Sequence, residues 1–260
     1  MLQSVIGWIA GRSVERKYVS LYQATKDAAA VFTNKFQVVH ANTDFLNKIA
    51  YGIRHDVYCS ELNYENVRST GAEVDPYDMH SDQLLLLNNP SQEYVGCVRL
   101  IHGRTSAGSF PLPFEKLCGD TLDSRIIRMV KDSGDKYMEV SRLSVLRDFR
   151  NQERASISDK HEKNPRVSSG GLITLYLGIQ AYAQAQGVKY LFAIVQERLL
   201  KSMHRLSIPA VQIGPAIEHR GARVPIMIEV KDVEHIIPFV LKPKYKHICD
   251  YMGQSESFSL

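Results

Sequence analysis

The chain has 260 residues, 44% of them hydrophobic and 23% charged, which is the balance of a globular domain large enough to fold without staples. A net charge of +4, with no recognised nucleic-acid module beside it, argues against a nucleic-acid-binding protein. Four scattered cysteines (Cys59, Cys97, Cys118, Cys249) form no CxxC pair and read as reduced thiols of a cytoplasmic protein.

The apolar run over residues 5–10, around Trp8, is far too short to span a bilayer and has neither a basic start nor a cleavage site. It reads as a docked N-terminal segment, with peripheral contact at a membrane as the alternative. Residues 13–32 carry Val14, Tyr18, Leu21, Ala24 and Ala28 at helical spacing, so residues 1–34 are read as a helical extension to one domain over 35–260. A strand is predicted over 36–41. A helix capped by Asn42 or Thr43 follows, with Phe45, Ile49, Ile53 and Val57 on one face. Residues 62–80 show little periodicity and read as a structured loop. Strands over 82–88 and 94–102, joined by the turn NNPSQE, predict a hairpin.

A Gly/Pro-rich link over 108–113 leads to a helix over 121–131 and a strand over 137–146. Residues 147–166 hold four Arg and two Lys against two Asp and two Glu, and read as a solvated loop or as a docking surface for an acidic partner. Ser168, Ser169, Gly170 and Gly171 open a helix over 172–186 that Gly187 ends. A strand over 188–195, a helix over 197–206, strands over 210–214 and 224–230 and a short helix over 233–237 complete the series. The tail from 253 reads as frayed. Antiparallel strands first and a crossover later predict an α+β fold with a central mixed sheet flanked by helices.

Several chemistries lack their motifs. There is no GxGxxG, no GxxxxGK[ST], no GxSxG and no HExxH, and the nine histidines never stand at metal-ligand spacing, so no metal is expected. What is present is a set of charges inside elements that should be apolar: Arg54 on the second helix, Glu73, Asp75 and Asp78 in EVDPYD, Arg99 in YVGCVRLI, and Glu139 and Arg142 in YMEVSRLSVL. Strand alternation puts Glu139 and Ser141 on one face and Arg142 on the other. Charges in central strands are costly unless paired, so three arginines and four carboxylates form either a buried ion network or a polar pocket holding a base. The expectation is a partly buried pocket in which loss of Arg99 abolishes activity with a modest drop in melting temperature.

These residues resemble a family. Arg54, Tyr58 and Tyr64 stand at steps of four and six, Asp75 follows eleven residues on, and Glu73, Asp75 and Asp78 make an ExDxxD pattern. VGCVRL at 95–100 and E-x-S-R at Glu139, Ser141 and Arg142 complete an ordered set. It resembles the signature of the acyl-homoserine-lactone synthases, the N-acyl amino acid synthases and the exosortase-system-associated acyltransferases over roughly residues 36–230. The lactone synthases usually carry Phe and Trp at the two aromatic steps, where this chain has Tyr58 and Tyr64.

The resemblance implies a GNAT-fold N-acyltransferase with Glu139 as general base. Arg54, Tyr58, Tyr64, Glu73, Asp75, Asp78, Arg99, Ser141 and Arg142 would bind the amine substrate, an amino acid. Backbone N–H groups where the strand of Glu139 parts from the strand after Gly187 would polarise the thioester. The helix opening at Ser168, Ser169, Gly170 and Gly171 would hold the phosphate of a phosphopantetheine arm. No cofactor is expected beyond that acyl-phosphopantetheine donor. Arg166-Val-Ser-Ser-Gly170-Gly171 misses the R/QxxGxG/A pattern of coenzyme A-using relatives by one residue, which favours acyl carrier protein over acyl-coenzyme A as donor. Phe110, Leu112, Phe114, Ile127 and Met129 are candidates for an acyl tunnel. The alternatives are a lactone-signal synthase using S-adenosylmethionine, a non-catalytic GNAT-like binding module and a basic nucleic-acid-binding protein.

Overall fold

Antiparallel strands with one later crossover build the central sheet. The computed structural model describes residues 35–105, 108–150, 170–205, 208–230, 237 and 241–256. The extension over 1–34, most of the basic stretch with Ser168 and Ser169, and all but the last residue of the helix expected over 233–237 lie outside the described residues.

The strands are β1 (Phe36–His40), β2 (Ser81–Asn88), β3 (Glu93–His102), β6 (Lys136–Val145), β7 (Val188–Gln196), β8 (Ala210–Gln212), β9 (Ile217–Glu218) and β10 (Ala222–Glu229), with β4 (Arg104–Thr105) and β5 (Gly108–Ser109) pairing apart. They order as β1-β2-β3-β6-β7-β10-β8, with β9 beside β10. The neighbours β6 and β7 run parallel, as a helical crossover demands, and the other pairs run antiparallel.

Helices cover both faces. On one face lie α4 (Gly170–Ala185), α5 (Glu197–Arg205) and α6 (Lys242–Glu256). Their Leu175, Ile179, Leu200, Tyr245 and Ile248 close the main core with Val38, Leu84, Leu100, Met138, Leu191 and Ile226 of the strands. On the other face α1 (Asp44–Arg54) covers one end through Ala50 and Ile53, which meet Leu85 and Cys97. At the other end α2 (Pro113–Cys118) and α3 (Ser124–Asp132) cover Ile101, Tyr137, Tyr190 and Phe192. The polar residues of interest sit between these two apolar ends.

Helix α4 lies flush on the sheet because it presents glycine where the strands are closest. A Cβ on Gly178 would stand 2.8 Å from both methyl groups of Val38, and one on Gly171 would stand 2.8 Å from Leu86 Cδ2. Val38 is β-branched and cannot swing aside. Gly178→Val is expected to destabilise the fold by about 1–3 kcal/mol through overpacking. Thermal unfolding checks this, and Val38→Ala in the same chain should recover part of the loss.

Several expectations change. Phe45 is 71% exposed, because a run at strict four-residue spacing drifts about 40° per step around an α-helix. The helix then widens into a π-helical segment at His55–Glu61, which keeps Val57 and Cys59 buried. Helix α2 and the body of α6 form where no element is expected, and α6 stays helical to Glu256, past the start of the supposedly frayed tail. The predicted helix over 121–131 begins at Ser124, after Asp123 accepts the N–H of Arg125.

Candidate active site

The acidic loop is shaped locally. Asp75 accepts from Tyr77 N, and Asp78 accepts from Asp75 N, a reciprocal cap on the short 3-10 turn Pro76–His80. That cap holds both carboxylates over β3, where Arg99 emerges from the sheet.

The expected charges form a closed, alternating ring. Arg54 donates to Glu73 at 2.5 Å and to Asp78 at 2.6 Å. Asp78 also accepts from Arg99 at 3.2 Å, and Arg99 reaches Asp75 at 2.7 Å. Asp75 lies 3.5 Å from Arg142, and Arg142 returns to Glu73 at 3.0 Å. Two further residues extend it: Glu65 pairs with Arg142 at 3.2 Å and with Arg220 at 2.9 Å. Four arginines thus face four carboxylates. Tyr58 and Tyr64 lie beneath the guanidinium groups of Arg142 and Arg220, at 5.2 and 5.0 Å. Ser141 accepts from Arg99 Nε at 3.0 Å.

Arg142 joins the ring against its expected facing. Arg99 pairs with Ser141 and Cys97 with Ser144, so Val98 alone opposes both Arg142 and Leu143. This β-bulge turns Arg142 into the left-handed region, at φ 53°, and onto the face of Glu139 and Ser141. Strict alternation fails there because a bulge adds a residue that period-two reasoning does not count.

The ring is graded in burial. The side chains of Arg54, Glu73, Arg99 and Asp78 are at most 4% exposed, whereas those of Arg142, Asp75, Arg220 and Glu65 are 19–27% exposed. The expected partly buried pocket is therefore corrected for the inner four, whose charges are mutually satisfied and closed off. Burial alone would raise the carboxyls of Glu73 and Asp78. Hydrogen bonds from Arg142 with the charge of Arg54 hold Glu73 below the usual carboxylate range, and Arg54 with the Asp75 N–H holds Asp78 there.

Glu139 stands outside the ring and is its chemical opposite. It is 4% exposed, accepts from Phe114 N at 3.0 Å, and pairs in register with Ile101 and Phe192. Burial pushes its carboxyl up to about 8, with the Phe114 N–H and the charge of Arg99 only partly opposing the shift. It also marks a fork. Strands β6 and β7 pair from Lys136 and Val188 to Glu139 and Phe192, then continue to Val145 and Gln196 without pairing to each other. A buried carboxyl near neutral pKa at the apex of a fork suits a group that accepts a proton.

Other expected residues take more ordinary places. Gly170 and Gly171 are buried in the first turn of α4. Leu112 and Phe114 are buried in the second core, where the Phe114 and Phe192 rings stack 4.7 Å apart. Met129 is 48% exposed and leaves the set of tunnel candidates. Glu65 and Arg220 escaped the sequence reading: one lies in an aperiodic loop, the other in a turn, HRGAR, that resembles any solvated hairpin. Among the described residues no group of three His, Cys, Asp or Glu is placed to hold a metal ion, and no helix is long and apolar enough to cross a membrane.

A mixed sheet forked beside a buried acid, with a helical crossover between the forked strands, is the layout of the GNAT acyltransferases. Residues 53–158, which hold Glu139 and all six members of the closed ring, match the family model described as Acetyltransferase (GNAT) domain. No curated protein matches the sequence. Among solved structures, the acyl-homoserine-lactone synthase LasI aligns with a TM-score of 0.53 at 16% identity, over 75% of this chain and 89% of that one. A coenzyme A-dependent acyl-homoserine lactone synthase, BjaI, solved with SAM and isopentyl-CoA, aligns at 0.50 and 19% identity, over 84% and 89%. FeeM, an N-acyl amino acid synthase from uncultured soil microbes, aligns at 0.50 and 12% identity, over 78% and 96%. The chain has the GNAT fold, and its residues 53–158 are similar to the acetyltransferase domain of that class.

Proposed function

We propose that the protein is an N-acyl amino acid synthase, moving a fatty acyl group from a phosphopantetheine thioester to the amine of an amino acid. The observation that carries this reading is Glu139, a buried carboxyl with its pKa raised to about 8 at the apex of the β6/β7 fork. The neutral amine attacks the thioester carbonyl, the C–N bond forms, and the electron pair moves to the carbonyl oxygen. The oxyanion then collapses, the C–S bond breaks and the thiolate leaves. Glu139 takes the proton that the nitrogen must lose and passes it to the departing sulfur, directly or through a water. Backbone N–H groups beyond Glu139, where the two strands no longer pair to each other, polarise the carbonyl.

In this reading the inner ring of Arg54, Glu73, Asp78 and Arg99 holds the amine site in shape. Asp75, Arg142, Ser141, Tyr58 and Tyr64 line it. The N-terminus of α4, at Gly170 and Gly171, holds the donor's phosphate. The donor is acyl carrier protein, whose acidic surface suits the basic stretch at 147–166. Tyrosine at both aromatic steps supports an amino acid over S-adenosylmethionine as acceptor.

Mass spectrometry of lipid extracts from cells expressing the protein tests this. A long-chain N-acyl amino acid, absent from control cells, is the expected product. An acyl-homoserine lactone in its place would overturn the choice of acceptor.

A further inference from the structure

The ring raises a question of charge. Each of Arg54, Arg99, Arg142 and Arg220 already has a carboxylate partner, so a substrate carboxylate entering there would set five acids against four arginines. A different arginine is placed to take it.

Arg223 lies near the start of β10, opposite Gln196 at the end of β7. It shares a face with Met227, which belongs to the second core beside Phe192, and so lies on the face of Glu139 and the ring. Its Nε is buried without a hydrogen-bond partner, and its Nη2 makes one long contact, 3.5 Å, to the Arg220 carbonyl. Among the described residues no carboxylate pairs with it. A buried, unsatisfied guanidinium nitrogen is costly, and the cost is removed when an anion binds.

The register places it relative to the base. Glu139 pairs with Phe192, Phe192 with Met227, and Arg223 is four residues along from Met227 towards the open end of the fork. The two residues therefore root about 13 Å apart along the strands and about 10 Å across them. Two side chains on one face, rooted that far apart, can hold a small molecule with an amine at one end and a carboxylate at the other.

We propose that Arg223 binds the carboxylate of the amine substrate at the open end of the β6/β7 fork, fixing the amine towards Glu139. This rests on the acyl-transfer reading and narrows it to carboxylate-bearing amines, with an arginine outside the ring as the selecting group.

Binding can be measured without turnover. The probes are N-dodecanoyl derivatives of glycine, alanine, phenylalanine and tyrosine and their methyl esters, titrated calorimetrically into wild-type protein, Arg223→Gln and Arg223→Lys. The wild type should bind at least one acid ten-fold or more tighter than its ester. Arg223→Gln should bind acid and ester alike, and Arg223→Lys should keep part of the preference while showing that the site tolerates substitution. Melting curves confirm that each variant is folded. An acid–ester preference retained by folded Arg223→Gln overturns the proposal, as does a wild type that prefers none of the acids. Wild-type protein that binds acids selectively yet transfers no acyl group would instead overturn the acyl-transfer reading while upholding this role for Arg223.

Discussion

Glu139→Gln is expected to make the protein more stable at pH 8.5 and nearly inactive. In the folded chain the Glu139 carboxyl holds its proton to about pH 8, whereas in the unfolded chain it ionises near 4.3. A folded-state pKa raised in this way gives stability that is complete below the unfolded value and falls as pH rises to about 8. The accumulated loss is on the order of a few kcal/mol, which for a chain of this size means several degrees in melting temperature. Glutamine is neutral throughout and can still accept from Phe114 N. The variant should therefore melt with the wild type at pH 4.5 and above it at pH 8.5. Acyl transfer should fall by about 10²–10⁴-fold, the usual worth of a general base. Parallel melting curves at the two pH values would show that Glu139 does not hold its proton in the fold, and near-full turnover would remove it from the base role.

Arg99→Met is expected to cost on the order of 3–5 kcal/mol, because it leaves two buried carboxylates, Glu73 and Asp78, against one buried arginine, Arg54, while methionine keeps the side-chain length. This reverses the modest drop that the sequence suggests. The reason is the burial of the inner ring: water cannot reach the surplus negative charge. Asp75→Asn, at the more exposed side of the same ring, should cost less, since the amide oxygen can still accept from Arg99, and Arg99 keeps Asp78 as its charged partner. Thermal unfolding of both variants near pH 7 separates the cases. If Arg99→Met melts within about 1 kcal/mol of wild type, the ring is a wet pocket and not an architectural lock. Glu73 and Asp78 also act oppositely to Glu139. Their pKa values are depressed, so their contribution is present near neutrality and is lost as pH falls below the usual carboxylate range.

Much of this site is legible in the sequence because charge inside an apolar strand is costly enough to need a partner. Arg99 flanked by Val98 and Leu100, and Glu139 flanked by Met138 and Val140, announce themselves that way. The local cap in EVDPYD likewise follows from residue types three apart. Other features do not follow from spacing. The bulge at Arg142 depends on contacts with Glu73 and Glu65, more than sixty residues away, so alternation assigned it the wrong face. Helix α6 shows Tyr245, Ile248, Cys249 and Met252 at helical spacing, but Pro243 and the surrounding lysines obscured it. Arg220 and Arg223 look like solvated turn residues until the hairpin folds back against Tyr64 and Glu65. Local pattern revealed the residues whose burial is set by their own strand and missed those brought in by distant chain.

The most direct test of acyl transfer to an amino acid is thiol release by purified full-length protein. Dodecanoyl-loaded acyl carrier protein is supplied with and without a mixture of amino acids, and free thiol and amide product are quantified together. Thiol release should depend on the amino acids and match the N-acyl amino acid formed one for one. Release that ignores the amino acids, or that requires S-adenosylmethionine and yields a lactone, would contradict it.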